Sequence, residues 1–108
     1  MTQTYRVLGQ LAPAANTQTV LYTVGVTSTI VSSIIICNTN SATATFSISI
    51  GVNGASITQK SYLYSGVSIN GNSTIAEVLG LTLASGDVVW VTSSNANLSF
   101  NLFGQENS

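Results

Sequence analysis

Ala44, Phe46, Ile48 and Ile50 alternate with Thr45, Ser47 and Ser49, and Leu98, Phe100 and Leu102 alternate with Ser99 and Asn101. Side chains leave an extended strand on opposite faces at each step, so this period of two writes one apolar and one polar face onto each segment. The remaining segments are rich in Thr, Val, Ile and aromatic residues, while the helix formers Glu, Lys, Arg and Met are almost missing. The chain is therefore expected to be all-β. Val20, Tyr22 and Val24 repeat the pattern more weakly, because Leu21 breaks the polar side and suggests a strand covered on both faces. Ile34, Ile35 and Ile36 put apolar groups on both faces, which suits a central strand or an interface.

Turn residues divide the strands. Asn53-Gly54 and Asn70-Gly71 read as hairpin turns, since Asn and Gly tolerate the positive φ of type I′ turns. Ala84-Ser85-Gly86-Asp87 and Ser93-Ser94-Asn95-Ala96 supply two further reversals, and Pro13 among Ala12, Ala14 and Ala15 marks a stiff loop. The spacing predicts strands at 4–10, 18–25, 28–38, 43–51, 56–65, 73–79, 86–93 and 97–104. Eight short strands in 108 residues imply one antiparallel β-sandwich domain over 1–108, jelly-roll or immunoglobulin-like, with 104–108 as a loose tail.

Charge is scarce. Arg6, Lys60, Glu77, Asp87 and Glu106 make up 5% of residues, against about 25% in an ordinary soluble protein, and the net charge is −1. Free proteins are kept apart largely by surface charge, so much of this surface is expected to be covered by partners. Two separated cations cannot form the basic patch that nucleic acid requires. Apolar runs such as Ile34 to Cys37 are far too short to span a membrane as a helix, and Met1-Thr2-Gln3-Thr4 does not resemble a signal peptide. Cys37, the one cysteine, is read as a buried apolar side chain, because no His and no nearby cation would lower its pKa.

The residues offer little chemistry. Histidine, the commonest general base and metal ligand, is absent, and neither a Cys/His cluster nor a run of carboxylates provides a metal site. Asp87 follows Gly86 at a turn position, Glu106 falls in the tail, and Glu77 reads as an outward charge between Ala76 and Val78. Neither catalytic, metal nor cofactor-binding residues are expected. Tyr62 and Tyr64, two apart, would share a strand face and form either a platform for a sugar or subunit, or a plain amphipathic edge. Trp90 alternates with Val89 and Val91 and is a core anchor or an interface residue.

Two stretches resemble a family of small structural proteins of tailed bacteriophages, especially those of aquatic bacteria. The first runs from Tyr5-Arg6-Val7-Leu8-Gly9-Gln10 through Ala12-Pro13-Ala14-Ala15 to Leu21-Tyr22-Thr23-Val24. The second is Asp87-Val88-Val89, then Ala96-Asn97-Leu98-Ser99-Phe100-Asn101-Leu102-Phe103-Gly104, with Glu106 after it. Gly25-Val26 and Ser47-Ile48-Ser49 stand where the family often has Pro and a basic residue, so no contact through a cation is expected there. The resemblance implies a virion component of head or tail. The leading expectation is a capsid cement or decoration protein, homo-oligomeric with a trimer favoured, docked on the major capsid protein or another virion protein at the head surface. The alternatives are a tail, baseplate or fibre-adaptor protein, and a glycan- or receptor-binding module. The expected contact residues are Tyr5, Arg6, Ile35, Tyr62, Tyr64, Trp90 and Phe103.

Overall fold

The alternating segment forms a strand whose apolar members Ala44, Phe46 and Ile48 are buried, and it pairs on both sides. The computed structural model describes residues 2–108 and contains eight strands: β1 (Gln3–Leu11), β2 (Thr19–Thr23), β3 (Ser28–Asn38), β4 (Ala44–Gly51), β5 (Tyr62–Ile69), β6 (Thr74–Ala84), β7 (Val88–Ser93) and β8 (Leu98–Asn107). They form two four-stranded antiparallel sheets, ordered β1-β8-β3-β6 and β2-β7-β4-β5. The pairs β4–β5, β3–β6, β2–β7 and β1–β8 are nested, as though one long hairpin had been rolled over itself. This is the jelly-roll arrangement. An immunoglobulin order would set the second strand beside the first and fifth, whereas here β2 pairs with β7.

The core lies between the sheets. Ile34 and Ile36 of β3, Phe100 and Leu102 of β8, Phe46 and Ile48 of β4, and Val89 and Val91 of β7 are all buried there. Phe46 joins the layers, meeting Phe100 at a ring-centroid distance of 6.2 Å in an edge-on pose. Such pairs add about 0.5–1.5 kcal/mol beyond the area they bury. Ile35, between two core residues of a central strand, is left half-buried on the outer face.

Several expected boundaries shift. The fifth strand was expected at 56–65 and runs Tyr62–Ile69, because Thr58 to Ser61 closes a 3₁₀ turn in which Thr58 N–H donates to Ser61 Oγ at 3.1 Å. The sixth continues past Gly80 to Ala84, since nothing crowds this glycine on an edge strand. Residues 104–108, expected as a loose tail, are instead held. Gly104 to Asn107 complete β8 between β1 and β3, and Ser108 exchanges backbone hydrogen bonds with Thr2 at 2.7 and 2.9 Å.

The two Asn-Gly turns are also not two-residue hairpins. Asn53 (φ 53°) and Gly54 (φ 76°) do adopt positive φ, but they begin a long connection between β4 and β5. Asn70-Gly71 leads from one sheet to the other, because β5 and β6 lie in different layers. There Asn72 takes the positive φ, and Gly71 is required because a Cβ would collide with the backbone of Ser41.

The loops gather at the two ends of the sandwich. At one end Asn38, fully buried, donates to the carbonyls of Ala42, Ile69 and Asn70 and accepts from Asn40 N–H, binding two loops together. At the other end Asp87 accepts from Asn53 N–H at 2.8 Å and Ala84 N–H at 2.9 Å. Its turn role extends to anchoring a second loop.

Candidate functional site

The outer face of the β1-β8-β3-β6 sheet carries four exposed large apolar side chains, Tyr5, Val7, Ile30 and Val78, while Val20, Tyr62 and Leu63 are exposed on the other sheet. Pairing register places Tyr5 and Val7 of β1, Phe103 of β8, Ile30 and Ile35 of β3, and Ala76 and Val78 of β6 on this side. Tyr5 is 75% and Val78 90% exposed. Ordinary soluble sheets carry charged or hydroxylic side chains at such positions, since a solvated face alternates polar with buried apolar residues. Gln105, Ser33, Asn101 and Thr82 stand among the apolar residues, so the face mixes exposed apolar groups with uncharged polar ones, a surface suited to an interface.

No charged side chain stands on the face itself. Lys60 lies in the loop before β5, and Asp87 is enclosed in its turn. Glu77 pairs with Ile34, a core residue, and so shares the inner face at the open rim of the sandwich. This reverses the outward orientation expected from sequence, in which Ala76 and Val78 were the inward pair. An inward charge on an edge strand also discourages edge-to-edge pairing, a common protective device.

Glu106 is turned inward as well. Its carboxylate accepts from Arg6 Nη1 at 3.1 Å and from Tyr22 Oη at 2.6 Å, and Tyr22 Oη lies 2.8 Å from Thr29 Oγ1. Because the Tyr22 proton goes to the carboxylate, the Thr29 hydroxyl donates to the phenol oxygen. Burial first, then the bond to Glu106, pushes the Tyr22 pKa up to about 12. The network joins β1, β2, β3 and β8 and holds Arg6 at the edge of the sheet.

The face is not flat. Register slips in β1 between Val7 and Gly9 and in β3 between Val31 and Ser33, on either side of Phe103. Such bulges bend their strands. The result is a hollow of about 470 Å³ bounded by Tyr5, Val7, Ile30 and Phe103, with Arg6 at its rim.

The seven expected contact residues are thus divided. Tyr5, Ile35 and Phe103 come together on this face, with Arg6 at its edge. Trp90 and Tyr62 flank Ser49 on the outer face of the second sheet, Trp90 beside Val20. Tyr64 does not join Tyr62: a register slip at Ile48 and Ser49 turns it inward, where its ring lies 6.1 Å from Phe46. The two tyrosines therefore do not share the single strand face expected from their spacing. Cys37, expected to be buried, is half-buried on the outer face beside Ser99 and Thr74.

Val7, Ile30 and Val78 were missed. The signal for Val78 was present: Ile75, Leu79, Leu81 and Leu83 share one parity, which carries Glu77 inward and Val78 outward once the strand is continued through Gly80. Among the described residues, no group of three or more His, Cys, Asp or Glu side chains is placed to hold a metal.

No protein-family model and no curated protein matches the sequence. Two chains from virus particles among the solved structures share the fold. A chain of the T13 infectious bursal disease virus particle superposes with a TM-score of 0.55 at 10% identity, over 96% of this chain and 29% of that one. A chain of the infectious bursal disease virus Gx strain gives 0.55 at 9% identity, over 96% and 32%. A pentameric capsid protein isolated from metagenomic phage sequences aligns with a TM-score of 0.40 at 16% identity, over 95% and 64%. The chain spans less than a third of the length of the two bursal disease virus chains, at 29% and 32%. It has a jelly-roll fold of a kind found in virus particles.

Proposed function

We propose that this chain is a structural virion protein of a tailed phage, a capsid cement or decoration protein whose copies associate and clamp neighbouring major capsid subunits on the head. The observation that carries this reading is the outer face of the β1-β8-β3-β6 sheet, which has no charged residue at its outward positions and exposes Tyr5, Val7, Ile30 and Val78, on a fold also found in virus particles. Burying such a face excludes water without the cost of desolvating ions. A protein that binds only the assembled lattice stabilises it by mass action, and many weak contacts act together. The reading includes no enzymatic step.

Quantitative mass spectrometry of purified particles, with this chain counted against the major capsid protein, tests the reading. Hundreds of copies per particle are expected for a shell protein. A dozen or fewer would assign it to tail, baseplate or fibre adaptor, and absence from the particle would end the virion reading. Retention on the particle in high salt is the accompanying expectation, because the contact uses no ion pairs across this face.

A further inference from the structure

We propose that a second copy of this chain packs on the outer face of the β1-β8-β3-β6 sheet about a two-fold axis parallel to the strands, the Val78 side chain of each copy seating in the hollow beside Val7 and Phe103 of the other. The inference rests on reading this face as an interface and is independent of where the protein resides.

Shape favours this arrangement. Val78 projects from edge strand β6 and is 90% exposed, while the hollow of about 470 Å³ spans β1, β8 and the adjoining side of β3. Val78 stands level with the Val7–Phe103 end of the hollow, because Val78 pairs with Ser33, Ser33 with Phe103, and Phe103 with Val7, and the hollow runs on from there to Tyr5, Gln105 and Ile30. A two-fold rotation about the strand direction, with its axis midway across the sheet, keeps that height and exchanges the two sides. It sets each Val78 over the other copy's hollow. An axis running across the strands would set β6 on β6 and leave Val78 away from the hollow.

A three-fold ring, the symmetry favoured at the level of sequence, joins two patches that face different ways. Here both complementary features lie on a single sheet face, the condition for an isologous contact.

Charge favours a like partner. An ordinary soluble protein has about a quarter of its residues charged, and the outward positions of this face offer no ion to pair with such groups. Its own copy brings only Arg6 at the rim of the hollow, already paired with Glu106 at 3.1 Å, so two such faces meet without stranding an unpaired charge.

Area is also sufficient. With strands about 4.8 Å apart and about 3.3 Å per residue, four strands of some ten residues present about 600 Å². Two copies would then bury about 1,200 Å², above the roughly 1,000 Å² that a specific interface needs.

Sedimentation velocity on the purified full chain, over a concentration series in low and high salt, provides the test. A monomer–dimer equilibrium insensitive to salt is expected, with Val78→Lys and Val7→Lys each weakening it by at least about tenfold. Leu63→Lys, exposed on the other sheet, should leave it unchanged. In a Cys37→Ser background, oxidation of a mixture of Val78→Cys and Val7→Cys chains should give the mixed disulfide dimer in preference to either homodimer, a readout that does not depend on a destabilising charge. Wild-type protein that stays monomeric at every concentration, a trimer, or a dimer unaffected by Val78→Lys together with no mixed disulfide would overturn the proposal. None of those results alters the copy number per particle, so the virion reading is tested separately.

Discussion

Tyr22 Oη donates to Glu106 Oε2 at 2.6 Å, linking a strand of one sheet to the last strand of the other across the end of the sandwich. The bond explains why a carboxylate at position 106 is tolerated between the layers. Its second oxygen is met by Arg6 at 3.1 Å, and the phenol oxygen is met by Thr29.

Removing the phenol hydroxyl leaves the Thr29 hydroxyl and one carboxylate oxygen without this partner. Tyr22→Phe is expected to lower stability by about 1–3 kcal/mol in urea unfolding at neutral pH. Arg6→Ala should cost about 1 kcal/mol or less, because the guanidinium is largely solvated and such pairs contribute little.

The same contact sets an alkaline limit. The Tyr22 pKa is raised from 10.0 to about 12 in the folded protein. A group raised in this way contributes stability that is complete below pH 10 and is lost as pH climbs toward 12. Unfolding midpoints measured through that window should fall in the wild type and fall less in Tyr22→Phe. Tyr64, raised by burial first and by the charge of Glu77 second, leaves a residual slope in the variant.

Asp87 clamps the opposite end. Asp87→Ala strips the partner from both Asn53 N–H and Ala84 N–H, and a loss of about 3 kcal/mol is expected. Asp87→Asn keeps one acceptor and should lose about half as much. Thermal unfolding of the two variants side by side measures the difference.

Two glycines predict opposite outcomes. Gly71→Ala drives a methyl into the Ser41 backbone and must separate two loops, so a loss of 2 kcal/mol or more is expected, within the range of roughly 1–3 kcal/mol typical of overpacking. Gly80→Ala meets nothing within 4 Å on an extended edge strand and should stabilise by about 0.5 kcal/mol. Denaturant midpoints of the pair distinguish crowding from chain entropy.

Trp90 Nε1 is buried without a hydrogen-bond partner among the described residues, against Gly51 and the loop that carries Ile57. Trp90→Phe removes that unpaired donor along with part of the ring. The two effects offset, and the expected change is within about 1 kcal/mol, well below the 3–5 kcal/mol typical of truncating a large core aromatic to alanine. Urea unfolding followed by circular dichroism checks it.

Much of the architecture was legible because strand residues report their own environment. The parity of Phe46, Ile48 and Ile50, or of Leu98, Phe100 and Leu102, already states which side chains face the core. The reading faltered where parity breaks. The slip between Ile48 and Ser49 separates Tyr62 from Tyr64, and Gly80 hid the continuity that turns Glu77 inward. A bulge adds a residue to one strand against another, so it is a property of the pair and cannot be read from either strand alone.

Composition and alternation by themselves determined an all-β sandwich with few charges and no histidine, because burial period and residue chemistry are local. Which strands pair, and therefore which exposed residues share a face, was decided only by the tertiary fold. Tyr5, Ile30 and Val78 are far apart in the chain and acquire a common surface only when β1, β8, β3 and β6 are laid side by side. Long-range pairing is chosen by the packing of two whole sheets around one core, and no local segment encodes that choice.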